Sequence, residues 1–125
     1  MKNKKIIIGS RRSKLALIYA ERARVELLKN PEIESIDIKS IITTGDTITD
    51  ERLSEQGGKG LFCKTIEQEL LDNNIDIAIH ALKDMPAEET EGLITNCFLE
   101  RNDPREILIS NNSKNFKELK PNAIV

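Results

Sequence analysis

Residues 5–28 read KIIIGSRRSKLALIYAERARVELL, and a change of period inside this stretch decides the fold. The β-branched run Ile6-Ile7-Ile8 stops at Gly9, and Ser10-Arg11-Arg12-Ser13 follows as a polar turn. Beyond it Ala16, Ala20, Ala23 and Leu27, flanked by Leu17 and Leu28, recur at the spacing of a helix. The expectation is strand, turn, helix. Asn30-Pro31 should end the helix, because proline lacks an amide proton and disfavours helical geometry in the residue before it.

The same order then repeats. A second strand is expected over residues 36–42, which stops at Thr43-Thr44-Gly45-Asp46. Residues 47–60 are polar and carry Gly57, Gly58 and Gly60, which predicts a long mobile loop of the kind that usually has a function in a compact domain. A second helix should carry an apolar stripe of Phe62, Ile66 and Leu70 with Cys63 beside it, fraying at Asp72-Asn73-Asn74. A third strand is expected over residues 75–79, then a polar segment from His80 to Pro86, and another strand over residues 92–99. Glu100-Arg101-Asn102-Asp103-Pro104-Arg105 looks like a crossing into a new unit. That unit holds only the apolar residues 107–109, a turn at Asn111-Asn112-Ser113, a short helix at 116–119 and the stub Ala123-Ile124-Val125. The division expected is a first domain over residues 1–99 and an unfinished second one over 100–125, with Val125 read as a truncation.

Strands alternating with helices predict an α/β domain with right-handed crossovers and a mainly parallel sheet flanked by helices. In such a sheet the segments 10–13, 43–46 and 80–84 all lie just past the carboxyl ends of strands, where open α/β sheets bind their ligands. Composition narrows what that ligand can be. With 21 acidic against 19 basic side chains, the chain has no bulk attraction for nucleic acid or anionic membrane, so anion binding must be local. Three Phe, one Tyr and no Trp are too few for base-stacking platforms. The run Ile6-Ile7-Ile8 is too short for a signal-peptide core. Cys63 and Cys97 lack the close paired spacing of a zinc site and are too few for a disulfide framework, which fits a reducing cytoplasm.

Each motif has a functional and a plain reading. Ser10-Arg11-Arg12-Ser13 sets an N-cap serine and two guanidinium groups at a helix start, where orphan amides favour a carboxylate or phosphate; equally, Ser13 could merely cap and the arginines be solvated. Gly57-Gly58-Lys59-Gly60 allows close backbone approach to a ligand but lacks the spacing of a nucleotide-binding loop. His80-Ala81-Leu82-Lys83-Asp84-Met85-Pro86 is the most informative. Lys83 and Asp84 together suit a pocket that binds anions and also accepts a ring N-H or moves a proton, although a surface Lys-Asp pair is the commoner outcome and a lone His is more often structural. Cys63 and Cys97 read as small core residues, and Glu88-Glu89-Thr90-Glu91 as a solvated loop.

Taken in order, Ser10-Arg11-Arg12-Ser13-Lys14-Leu15-Ala16, Thr44-Gly45-Asp46, Gly57-Gly58-Lys59-Gly60-Leu61-Phe62, the 80–86 segment and Arg101-Asn102-Asp103-Pro104-Arg105 closely resemble the start of the porphobilinogen deaminase (hydroxymethylbilane synthase) family. The resemblance implies a transferase of haem (tetrapyrrole) biosynthesis that condenses four porphobilinogen units stepwise with release of ammonia. It implies a first domain like the type II periplasmic binding proteins, a second of similar design and a smaller third one. A dipyrromethane cofactor would be attached to a cysteine of that third domain, which neither Cys63 nor Cys97 matches, so these 125 residues alone are expected to be inactive. Asp84 is then the catalytic residue, accepting pyrrole N-H groups, stabilising the cation that develops as ammonia leaves and shuttling a proton. Arg11, Ser13, Lys83 and Asp46 would hold the cofactor. Lys59 would close over the site, and Arg101 would add a carboxylate contact. The chain departs from the family at Lys14, often serine or proline there, and at Glu55, where some members have a second loop lysine. The implied protein is cytoplasmic and monomeric at full length, with no nucleic-acid or membrane partner. The alternative from another class is a non-enzymatic module for a small anion.

Overall fold

The structure, a computed structural model, describes residues 4–47, 60–110 and 115–122. Three parallel strands form its sheet in the order β2-β1-β3: β1 is Lys4–Arg11, β2 is Ile33–Ile41 and β3 is Ile77–Ala78. Helix α1 (Lys14–Leu27) connects β1 to β2, the single turn α2 (Thr44–Thr47) follows β2, and α3 (Gly60–Leu71) precedes β3. The expected strand, turn and helix order is therefore present, with β1 extending past its apolar run at both ends and β2 beginning three residues earlier than expected and ending at Ile41. Ile8 pairs with Ile38 of β2 and with Ile77 of β3, and the β1–β2 register runs on to Arg11 and Ile41.

Strand alternation sends neighbouring side chains to opposite faces, and both faces are covered. On one, Ile8 and Ile36 pack against Ala20 and Ala23 of α1, with Ile6, Ile38, Ile77 and Ile79 around them. Alanine on the inner face of α1 lets the helix sit close to the sheet. On the other face, Ile41 and Ile75 pack against Ile66 of α3, with Leu70 and Ala78 at the margin. Gly9 belongs to this face, since a methyl group there would come within 2.3 Å of the Ile75 side chain. Ile8 and Ile66 are fully buried, so truncating either to alanine should cost about 2 to 5 kcal/mol.

The ends of the helices follow local chemistry. Ser13 caps α1, its Oγ accepting from Ala16 N at 3.3 Å. After α3, Asn73 takes a left-handed conformation (φ 57°) and Asn74 N donates to Glu69 O, which closes the helix at the predicted place. β3 is shorter than the expected 75–79: at its start the Ile7 amide donates to the Asp76 carboxylate, at 2.7 Å, in place of a strand carbonyl, while past its end Ile79 N still donates to Gly9 O.

Three expectations need correction. Residues 92–99 are not a strand: Gly92 has φ 87°, Leu93 N closes a turn onto Thr90 O, and Ile94 and Phe98 are 77% and 64% exposed. A strand exists by its ladder, and among the described residues no neighbour supplies one. Cys97 is correspondingly exposed and not a core residue. The short helix at 116–119 is a 3₁₀ turn, Phe116–Glu118, started by Asn115, whose side chain accepts from Lys117 N. The loop expected over 47–60 falls outside the described residues except at its two ends, as do Glu55, Lys59 and the stub 123–125.

Candidate functional site

Because the strands are parallel, their carboxyl ends lie on one side of the sheet, and the polar segments that follow them converge there. Arg11 is the last residue of β1, and its Nη2 donates to Asp46 Oδ1 at 2.5 Å. Asp46 is held in turn by β2's exit: its Oδ2 accepts from Thr43 Oγ1 at 2.7 Å and from Thr43 N at 3.1 Å, while its own N donates to Thr43 O. This is half of a capping box, in which the third helical residue reaches back to the amide of the cap, and it explains why the polar segment 43–46 winds into α2. Burial is the largest influence on the Asp46 carboxyl and pushes its pKa up. The hydrogen bonds from Arg11 and Thr43, with the Arg11 charge, outweigh it and hold the group below the ordinary carboxylate value.

The guanidinium of Arg11 also lies over the Phe62 ring, 3.9 Å from its centroid. Phe62 was expected on the apolar stripe of its helix. Ile66 of that stripe is fully buried, as is Cys63 beside it, and Leu70 packs at the margin of the core, but Phe62 turns toward the strand ends. Arg11 Nε is buried and has no hydrogen-bond partner among the described residues.

The segment after β3 forms a 3₁₀ turn, Leu82–Asp84, with Asp84 N bonded to Ala81 O. Cys63 Sγ donates to Asp84 O at 3.4 Å and lies 3.9 Å from His80 Nδ1, so α3 ties down the turn from beneath. Desolvation pushes the Cys63 thiol up to about 11, with the charges of Glu67 and Asp84 adding to it. His80 is shifted below its ordinary value, chiefly by burial, against the pull of Glu67 and Asp84 and with the Arg11 charge in the same sense as burial. Arg11 packs on Phe62 and the Asp84 carbonyl is bonded by the adjacent Cys63, so the start of α3 touches both residues. The Asp84 side chain is half-buried and makes no hydrogen bond among the described residues; Lys83 beside it is exposed and makes no ion pair there.

The arrangement brings Arg11, Asp46 and Asp84 together. Ser13 is committed as an acceptor to α1, and its hydroxyl proton has no acceptor among the described residues. Arg101 stands apart in an exposed segment, 100–103, which Arg22 fastens to α1 through Asn102 Oδ1 (2.5 Å) and Glu100 O (2.8 Å). Thr43, Phe62, Cys63 and His80 supply support that the sequence reading did not assign. The Thr43-x-x-Asp46 spacing was the available signal for the first of these.

A cleft of about 900 Å³ runs along the outer edge of β3, and it is lined mainly by apolar groups such as Leu27, Leu70 and Ile77. It touches none of Arg11, Ser13, Asp46, Lys83 and Asp84. Converging charge and an unsatisfied buried donor say more about ligand chemistry than volume does, so the candidate site is placed at the strand ends.

The family model described as "Porphobilinogen deaminase, dipyromethane cofactor binding domain" matches residues 6–125. Porphobilinogen deaminase of Bacillus subtilis (strain 168) is 49% identical over 121 residues, which are 96% of this chain and 38% of the relative. Those of Staphylococcus carnosus (strain TM300) and Macrococcus caseolyticus (strain JCSC5402) are 48% and 50% identical over 123 residues, 98% of this chain and 40% of each relative. The chain spans about two fifths of the length of these relatives. A chain matched over nearly all its residues at this identity belongs to the porphobilinogen deaminase family.

Proposed function

We propose that the protein carrying this sequence is a hydroxymethylbilane synthase, a transferase that condenses porphobilinogen units with release of ammonia, and that its chemistry is done at the strand ends. The observation that carries this reading is a buried Arg11 Nε that has no hydrogen-bond partner among the described residues, at the same end of the sheet as Asp84, whose half-buried carboxylate makes no hydrogen bond among them either. A buried donor without an acceptor costs about 1 to 3 kcal/mol, which a ligand oxygen would recover. Family membership supplies the ligand: pyrroles bearing acetate and propionate groups, and a dipyrromethane cofactor.

These residues fit that group. Arg11 Nε, the Ser13 hydroxyl and the exposed Lys83 would hold its carboxylates, with Asp46 keeping Arg11 in place. When bound, the cofactor supplies the pyrrole terminus on which the chain grows. Asp84 would accept pyrrole N-H groups, face the positive charge that develops as ammonia departs, and pass a proton between carboxylate oxygen and ring. The turn tied by Cys63 fixes the Asp84 backbone, so the residue's position at the strand ends is set before the substrate arrives. Lys59 covers the site on this reading, and Arg101 contacts a further carboxylate.

The same reading makes residues 1–99 a domain of the type II periplasmic-binding-protein kind and 100–125 the start of a similar one. It makes the protein a cytoplasmic monomer without nucleic-acid or membrane partners. Among the described residues no helix is long and apolar enough to cross a membrane. The non-enzymatic anion module gains no support, since the relatives reported above are named as deaminases. Incubating the complete protein with porphobilinogen tests the proposal: ammonia and hydroxymethylbilane should appear together, and binding without either product would overturn it.

A further inference from the structure

We propose that Phe62 is a positioning residue for Arg11, fixing the plane in which its guanidinium offers Nε–H to a ligand carboxylate; this rests on the anion-binding role given to Arg11 above. The Asp46 bond engages Nη2 alone. One hydrogen bond leaves a guanidinium free to swing about the donor-acceptor line, so Asp46 by itself does not determine where Nε points. A ring packed on the guanidinium face, 3.9 Å from Cζ to centroid, removes that freedom.

The ring is itself placed by Gly45. A methyl group on Gly45 would come within 2.3 to 2.7 Å of Phe62 Cε1, Cδ1 and Cζ, so the ring lies where only a glycine leaves room. Gly45 is next to Asp46, and Phe62 is at the start of α3. The two supports of Arg11, carboxylate and ring, therefore come from segments that lock against each other. An arginine held on an edge and a face, with a buried donor left over, is organised for an acceptor before one arrives.

The test uses the complete protein with Phe62→Leu, which keeps bulk without a π face, and Phe62→Tyr, which keeps both. Phe62→Leu should lower kcat/KM for porphobilinogen by about 5- to 30-fold, the equivalent of a partly desolvated cation–π contact. It should also move the Arg11 Nε–H proton resonance downfield as ring-current shielding is lost, and Phe62→Tyr should restore both readouts. Gly45→Ala, whose methyl group would displace the ring, should reproduce the loss and reads the same contact if Phe62→Leu does not fold. An unchanged Arg11 resonance with full kcat/KM in Phe62→Leu, or Phe62→Tyr as impaired as Phe62→Leu, would overturn the proposal. If the unmodified protein turns over no porphobilinogen, the function reading fails, and the Arg11 resonance alone then decides the positioning role.

Discussion

Arg11 and Asp46, 35 residues apart in sequence, meet at 2.5 Å where β1 and β2 end, in a pair whose side chains are only 23% and 20% exposed. Such shielding makes the contact worth more than a surface ion pair, because water screens it less and each partner would be left half-buried without the other.

Asp46→Asn removes the charge while keeping an oxygen for Thr43. It should destabilise the protein by about 2 kcal/mol at neutral pH, the scale of a hydrogen bond to a charged group. The pKa of Asp46 is depressed on folding, so its stabilisation is complete above the ordinary carboxylate value of about 3.9 and is lost as pH falls through the lower folded value. Urea unfolding at pH 7 and at pH 3 checks this. The gap between native and variant proteins should narrow in acid.

His80 is the one histidine of the chain, which makes its titration unambiguous. Its folded pKa should lie below about 6.5 in a proton NMR titration, because burial disfavours the imidazolium. The unfolded chain then binds the proton more readily. Stability is therefore complete above about pH 6.5 and declines as pH falls from there to the folded value. A titration midpoint above 6.5 would mean that Glu67 and Asp84 outweigh desolvation.

The two cysteines should separate cleanly in a thiol-labelling experiment. Cys97 is exposed, whereas Cys63 is fully buried with its thiol pushed up to about 11, so almost none of it is thiolate at neutral pH. One equivalent of a thiol reagent should react quickly in the native protein, and the second only on unfolding. Peptide mapping should assign the fast site to Cys97.

Much of this architecture is legible in the sequence, because it rests on period and punctuation. The contrast between the β-branched run Ile6 to Ile8 and the helical spacing of Ala16, Ala20 and Ala23 yields β1 and α1, and Asn30-Pro31 and Asp72-Asn73-Asn74 mark real helix ends. The common location of residues 11, 46 and 84 follows from strand direction alone. What escapes is whatever depends on a partner distant in the chain. Residues 92–99 look like a strand, but a strand is a property of two segments, and none pairs with this one among the described residues. Phe62 fits the apolar stripe of α3 within one position, and only the tertiary contact with Arg11 shows that it faces the site. Cys63 reads correctly as buried, yet its hydrogen bond to Asp84 O could not be read from residue type.

The most direct test of the account is the single-turnover rate of Asp84→Ala, measured on the complete, cofactor-loaded protein. A carboxylate that faces developing positive charge is stronger in the transition state than in the ground state, and losing such a group typically costs about 3 to 4 kcal/mol, or roughly 100- to 1000-fold. Loss of proton transfer at the same residue would add to that. Stability should hardly move, since Asp84 sits in a turn outside both apolar clusters and the Cys63 bond goes to its backbone oxygen. Asp84→Glu should retain more activity than Asp84→Ala, because it keeps the charge but displaces it. The account predicts a rate at least about 100-fold below that of the unmodified protein with thermal stability unchanged. A near-normal rate in Asp84→Ala would contradict it and put the chemistry on another residue.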